Sequence, residues 1–318
     1  MAGPQGNRRF AGLAALMAFV SSCLAPMAHA EDELVVADQR GLQRALLVAA
    51  QADKGLTYRI RWTEFDAAAP LLQAIAAGAV DTGVAGDGPF LFAWGSGLPV
   101  KAVYWLPPRG EGHTTAVVVG PRSPLHSAAD LSGKRIATGR GSIGHLLLLR
   151  LIQSGAIPAP APRIIFLSPA QAKSALDSGS IDAWSTWEPY ISLERVQTHG
   201  AVIVDGAHLL PNNGFMVTTD TVLAQKKAHL TDFYRRVSLA YRWCETHPDA
   251  YAALLARQTG MPDDVSRVVA KEIVSAPAPI TPGVITAEQA TLNAYHAAGL
   301  VKDAPPVDTA FMTGFAAP

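Results

Sequence analysis

Val80-Asp81-Thr82-Gly83-Val84-Ala85-Gly86-Asp87-Gly88-Pro89-Phe90 passes from a short apolar stretch through two glycines to a proline. Val80–Ala85 has the length and apolar character of a strand. Gly86 and Gly88 let backbone approach a ligand closely. Pro89 fits the first turn of a helix, where its missing N–H costs nothing. Strand, glycine loop and helix in that order make one unit of an α/β fold. Asp87 reads as the cap of the helix, with the loop's backbone N–H groups turned toward a ligand.

The same grammar extends in both directions. Upstream, Leu34–Ala37 reads as a strand, Leu42–Ala52 as a helix, Tyr58–Phe65 as a strand with period two, and Ala69–Ala77 as a helix. Downstream the pattern restarts near Thr115. Strands fit Ala116–Val119, Arg135–Ala137, Ile164–Leu167, Ile181–Trp184 and Ala201–Val204, and helices fit Ile143–Gln153, Ala170–Ser178 and Tyr190–Thr198. Such alternation implies mostly parallel sheets covered by helices. Gly78, Gly155, Gly179 and Gly200 each follow a helical run, where a left-handed residue closes a helix. Past Phe215–Thr218 the chain turns almost wholly helical, with helix starts at Asp249 and at Thr286-Ala287-Glu288-Gln289, the latter spaced as a capping box. Two α/β units with a helical tail make either two consecutive domains or one domain interrupted by another.

The chain's 318 residues are 49% hydrophobic and 16% charged, with formal net charge zero. That is a globular balance with enough chain for sizeable cores. It gives no global field for nucleic acid or an anionic membrane. Residues 1–30 read as a signal peptide: Arg8 and Arg9, an apolar run from Phe10 to Val20, and Ala28-His29-Ala30 as the cleavage site. Val20-Ser21-Ser22-Cys23 also fits a lipoprotein box, so cleavage after Ala30 and acylation of Cys23 both stand. Loss of the signal leaves 24 basic against 26 acidic side chains and one cysteine, Cys244, which reads as a small core residue. No zinc spacing, nucleotide loop or nucleophile–base motif is present, so no metal, cofactor or catalytic residue is expected.

Four segments at strand ends suit binding. Asp38-Gln39-Arg40-Gly41 precedes a helix whose free N–H groups and partial positive charge favour an anion; Gln39 adds donors and Arg40 a full charge. Gly86-Asp87-Gly88-Pro89 is the second. Gly139-Arg140-Gly141-Ser142-Ile143-Gly144-His145 is a glycine-rich strand-to-helix loop with Ser142 as cap or donor; His145 faces the cleft or serves the core. In Trp184-Ser185-Thr186-Trp187-Glu188-Pro189-Tyr190, Trp184 reads as core, while Trp187 and Glu188 offer an apolar wall and an acceptor or cation partner.

With these in hand, the sequence resembles the periplasmic aliphatic-sulfonate and taurine-binding proteins of ABC importers, within the nitrate/sulfonate/taurine group. The markers are Gly86-Asp87-Gly88-Pro89, Asp130-Leu131-Ser132-Gly133-Lys134-Arg135-Ile136-Ala137, Gly141-Ser142, and Asp182-Ala183-Trp184 with Trp187-Glu188-Pro189-Tyr190. The resemblance runs from Leu34 to about Asp308. It implies a type II periplasmic-binding fold, two Rossmann-like lobes with a ligand cleft between them. Residues 31–113 and 215–318 would form lobe one and 114–214 an inserted lobe two, with crossings near His113–Thr115 and Asn213–Phe215 as hinge.

By the same resemblance, Gln39, Asp87 and Gly88 would line lobe one, and Ser142, Trp187 and Glu188 lobe two, with Asn213 at the second crossing. The protein would be a periplasmic monomer. It would capture an organosulfonate and deliver it to a permease in the inner membrane. The chain departs from the pattern at Asp38-Gln39-Arg40 (often Tyr-Gln-Lys), Gly88 (often Thr or Ser) and Glu188 (commonly Asp). Nitrate, bicarbonate or a pyrimidine precursor as ligand, a sensor in place of an importer, and an enzyme on the same fold are the alternatives.

Overall fold

Alternate residues of strand β1 (Glu33–Gln39) face two different helical layers, which explains why its five central residues are all buried. Leu34 and Val36 pack against α1 (Leu42–Ala49), α7 (Asp220–Thr246), α8 (Pro248–Thr259) and α9 (Asp263–Glu272). Val35 and Ala37 pack against α2 (Ala68–Ala76), α3 (Asp87–Gly95) and α10 (Pro282–Ala297). The computed structural model describes residues 32–108, 112–272 and 275–315. The signal segment, with Cys23 and Ala30, lies outside the described residues.

The first sheet has the order β2-β1-β3-β10-β4. Here β2 (Arg59–Phe65) and β3 (Thr82–Gly86) flank β1 in parallel, and β10 (Gly214–Thr218) runs antiparallel between β3 and β4 (Lys101–Leu106). The second sheet repeats that order as β7-β6-β8-β5-β9. In it β6 (Arg135–Thr138) pairs in parallel with β7 (Arg163–Phe166) and β8 (Ala183–Trp187), and β5 (Thr115–Val119) lies antiparallel between β8 and β9 (Ala201–Asp205). Helix α4 (Ile143–Gln153) covers Val117 and Val119 on one face; α5 (Pro169–Asp177) and the short α6 (Tyr190–Leu193) cover Ala116 and Val118 on the other. Each sheet therefore has parallel strands plus one strand reached by crossing from the other. The fold is that of two mixed, helix-flanked sheets, the periplasmic-binding architecture.

Several local readings change. Strand β4 has a clear signal in Ala102-Val103-Tyr104-Trp105-Leu106, which sequence reasoning passed over beside the proline pair that follows. Helix α10 starts at Pro282, capped by Thr281, whose side chain accepts from the N–H of Val284; Thr286 sits inside the helix, so its capping-box spacing is coincidental. The run Tyr190–Thr198 splits into α6 and one π-type turn, Glu194–Thr198. His199 takes the left-handed position after it (φ 58°), and Gly200 is needed because a Cβ there would sit 2.8 Å from the Val119 carbonyl oxygen. Cys244 is fully buried, with its thiol pushed up to about 12 by burial.

The two crossings run side by side. Asn212 donates through Nδ2 to the Thr114 hydroxyl, and Thr115 donates to Asn212 Oδ1 at 3.2 Å. The N–H of Gly206 donates to the Thr115 carbonyl at 2.8 Å.

Candidate ligand site

A cavity of about 940 Å³ lies where the carboxyl ends of the two sheets face each other. Gln39, Arg40, Asp87, Gly141, Ser142, Trp187, Glu188 and Asn213 all lie on its wall, contributed by both sheets' loops. Gly88 does not. Its open side faces Ile143 and the Tyr295 hydroxyl, where a Cβ would come within 3.3 and 3.0 Å. Glycine there lets the two halves pack closely.

The loop after β1 works differently from expectation. The Asp38 carboxylate accepts from the backbone N–H of Gln43 (2.9 Å) and of Arg44 (3.0 Å), so the protein's own acid closes the amino end of α1. An incoming anion finds those donors taken. Burial pushes the Asp38 carboxyl up to about 6 against the pull of the two N–H groups. Gln39 Nε2 donates to the Val84 carbonyl at 2.9 Å, which fixes the side chain along β3 and leaves its second amide hydrogen and its oxygen for the cavity. Arg40 is left-handed (φ 55°). Its guanidinium lies 5.4 Å over the Tyr190 ring and 3.7 Å from Asp66.

Helix α2 supplies the open amino terminus that α1 does not. Its cap position is Ala67, extended and without a capping side chain. Among the described residues no acceptor meets the N–H groups of Ala68 and Ala69, and all three alanines face the cavity. The only signal in the sequence was Pro70 in the first turn after a strand.

The loop before α4 is pinned on every side but the cavity. Ser142 Oγ accepts from the His145 N–H at 3.1 Å and sits 3.2 Å from Thr138 Oγ1. The N–H of Gly141 donates to His145 Nδ1 at 3.1 Å. From α10, the Tyr295 hydroxyl lies 3.2 and 3.1 Å from the carbonyl oxygens of Gly141 and Ser142. Gly141 is left-handed (φ 69°), and a Cβ would strike the Phe92 ring at 2.1 Å, so glycine is required twice over. The N–H groups of Ile143 and Gly144 have no acceptor among the described residues. His145 belongs to the core: it is 2% exposed, and burial drives its pKa down to about 4, keeping the ring neutral and Nδ1 free to accept.

Three acidic or amide side chains expected at the ligand are already occupied. Asp87 is the first residue of α3, not its cap, and Gly86 holds the cap position. Its carboxylate accepts from the N–H of Gly88 (2.6 Å) and Asn213 (2.9 Å); burial pushes it up to about 6. Asn213 Oδ1 accepts from Trp105 Nε1 at 2.7 Å, and its Nδ2 donates to buried Glu288 at 2.6 Å, making it a clamp at the crossing. Glu188 accepts from the hydroxyl (2.9 Å) and N–H (3.2 Å) of Ser192, so it caps the start of α6; burial raises its pKa. Trp187 remains a half-buried wall, edge-on to Tyr190 at 5.7 Å, while Trp184 is core. Phe92, Phe166 and Tyr190 complete an aromatic lining that sequence reasoning missed. Among the described residues no cluster of His, Cys, Asp and Glu has the makings of a metal site.

The arrangement therefore offers backbone N–H donors from two helix starts, a serine hydroxyl, a glutamine amide, two arginines (Arg40 and Arg140) and aromatic faces. Residues 52–251 match the model of the NMT1/THI5-like family. The chain belongs to the NMT1/THI5-like family. A relative from Escherichia coli (strain K12) named for aliphatic sulfonates binding is 30% identical over 235 residues, spanning 74% of this chain and 72% of its own. Among solved structures, the alkanesulfonate-binding protein SsuA from Xanthomonas axonopodis pv. citri, bound to MOPS, is 29% identical with a TM-score of 0.80. That likeness covers 88% of this chain and 98% of that one. The periplasmic aliphatic sulphonate binding protein SsuA from Escherichia coli is 27% identical with a TM-score of 0.73, covering 86% and 89%.

Proposed function

We propose that this chain is the extracytoplasmic solute-binding protein of an ABC importer and that it holds an organosulfonate between its two lobes. The observation that carries the reading is the pair of helix starts, α2 and α4: Ala68, Ala69 and Ile143, whose N–H groups meet no acceptor among the described residues, line one cavity with Ser142 and Gln39. A sulfonate spreads one negative charge over three oxygens. Neutral donors and helix ends suit it without a buried counter-ion. Trp187, Phe92 and Phe166 would cover the carbon chain. A cavity this size exceeds what nitrate or bicarbonate needs, which favours an organic ligand over a bare oxyanion.

In this reading residues 31–113 and 215–318 form lobe one and 114–214 lobe two, the crossings near His113–Thr115 and Asn213–Phe215 form the hinge, and residues 1–30 direct export to the periplasm. Delivery to an inner-membrane permease follows release. No catalytic role is assigned: the carboxylates of Asp38, Asp87 and Glu188 accept from N–H and hydroxyl donors of the fold, and His145 accepts from Gly141.

Thermal unfolding of the mature chain with alkanesulfonates, taurine, sulfate, nitrate and pyrimidine precursors tests this. A sulfonate at a hundredfold its Kd stabilises the native state by about 2.7 kcal/mol through mass action. Ser142→Ala together with Gln39→Ala abolishes that shift, while loss of the α4 cap and of the Val84 bond lowers the unliganded melting point by only a few degrees and leaves the chain folded. A shift produced only by sulfur-free ligands overturns the assignment.

A further inference from the structure

The cavity is longer than an anion site. Beyond the cleft loops its wall continues along Leu42, Gln43 and Leu46 of α1, Tyr241 of α7, Tyr251 of α8 and Glu272 of α9, all from the first half of the fold. Two polar groups there have no use in the fold. Gln43 is only 6% exposed, and its Nε2 is buried without a hydrogen-bond partner. Tyr241 is 8% exposed, and its hydroxyl makes no hydrogen bond among the described residues. Two neighbouring polar groups, by contrast, are satisfied. Tyr251 donates to the Leu42 carbonyl at 3.1 Å, and the Asp38 carboxylate is held by the N–H groups of Gln43 and Arg44.

A buried amide left without a partner is costly, and native proteins seldom keep one unless something visits it. Leu42 and Leu46 give the compartment an apolar side. Asp38, Glu64 and Glu272 border it with carboxylates, which exclude a second anionic group. Rotating the Gln43 amide about its terminal bond exchanges its nitrogen and oxygen, so it can meet a guest as donor or acceptor. Tyr241 has the same versatility. A neutral group that both donates and accepts matches the pair.

We propose that this compartment reads the far end of the ligand, and that the preferred class is a sulfonate with a chain of several carbons ending in a neutral hydroxyl or amide held by Gln43 and Tyr241. The proposal rests on the sulfonate reading of the cleft and adds the identity of the tail.

Calorimetric titration of the mature chain with hexanesulfonate, ω-hydroxyhexanesulfonate and ω-carboxyhexanesulfonate tests it. The hydroxylated ligand binds about tenfold more tightly than the plain one, and the carboxylated ligand more weakly than the hydroxylated one. Gln43→Met and Tyr241→Phe each remove most of the hydroxyl preference and leave hexanesulfonate affinity within about twofold. Two independent variants guard against a local packing defect in either. Equal binding of the plain and hydroxylated ligands by the unaltered chain overturns the tail subsite alone. So does a loss in the variants that is the same for both, or carboxylate binding as tight as hydroxyl binding. Failure of every sulfonate to bind overturns the cleft reading beneath it.

Discussion

His145 holds the anion loop by being uncharged. Its Nδ1 accepts from the Gly141 N–H, which a protonated ring cannot do. Burial lowers its pKa from 6.5 to about 4, so its contribution to stability is complete above pH 6.5 and is lost as pH falls through 4. The linkage is worth up to about 3 kcal/mol. Asp38 and Asp87 act in the opposite sense. Each is raised to about 6, so the native state takes up their protons first, and stability gains as pH falls from 6 toward their ordinary value. His145→Gln should remove the acid-side loss. Urea unfolding between pH 7 and 4.5 should show the variant gaining on the unaltered chain as pH drops; parallel profiles would count against the assignment. Ser142 and Gly141 lie on the cavity wall, where a glycine-rich loop between a strand and a helix start puts them. Arg40, Asp87 and Glu188 reach the cavity wall as well, but their partners within the fold, Tyr190, Asn213 and Ser192, are not legible, because tertiary packing or a turn fixes them and residue type does not reveal it.

At the scale of elements, the contrast between α1 and α2 is the instructive one. The polar segment before α1 looked like the anion site, yet Asp38 folds back and consumes its donors. The alanine-rich start of α2 carries no side-chain signal and is the end left open. Composition announces polar side chains but is silent about bare backbone, and an uncapped helix start is made of backbone. Ala67→Asp places a carboxylate where the ligand's negative charge would sit. The variant should be more stable by about 1 kcal/mol through capping, and should bind sulfonate at least tenfold more weakly. Unfolding curves and titration together decide it, because affinity that survives the substitution would move the anion away from α2. The strands and helices were mostly readable from apolar periodicity. The lapses at β4 and at the start of α10 came from flanking prolines: a proline pair masked a strand end, and Thr281-Pro282 was the true helix signature.

For the molecule as a whole, the two halves are bridged on both sides of the cavity. On one side Arg40 stacks on Tyr190, whose hydroxyl donates to the Asp66 carbonyl at 2.8 Å. On the other, Tyr295 reaches the carbonyls of Gly141 and Ser142, and Arg150 donates to the Ala290 carbonyl at 3.0 Å. The second set lies in a continuous apolar layer joining α3, α4 and α10, so it is the first that has the character of a releasable latch. Tyr190→Phe removes one hydrogen bond, about 1 kcal/mol. Stopped-flow measurement should show ligand leaving several-fold faster with the association rate little changed; an unchanged release rate would assign Tyr190 to packing alone. The interleaved sheet order has a consequence for how such a chain comes into being. Strands β3 and β4 are adjacent in sequence but are held apart by β10. A chain emerging amino end first delivers the second sheet entire before the first can close. The earliest part to appear is thus the last to be finished, and its two waiting strand edges need shielding for the whole interval.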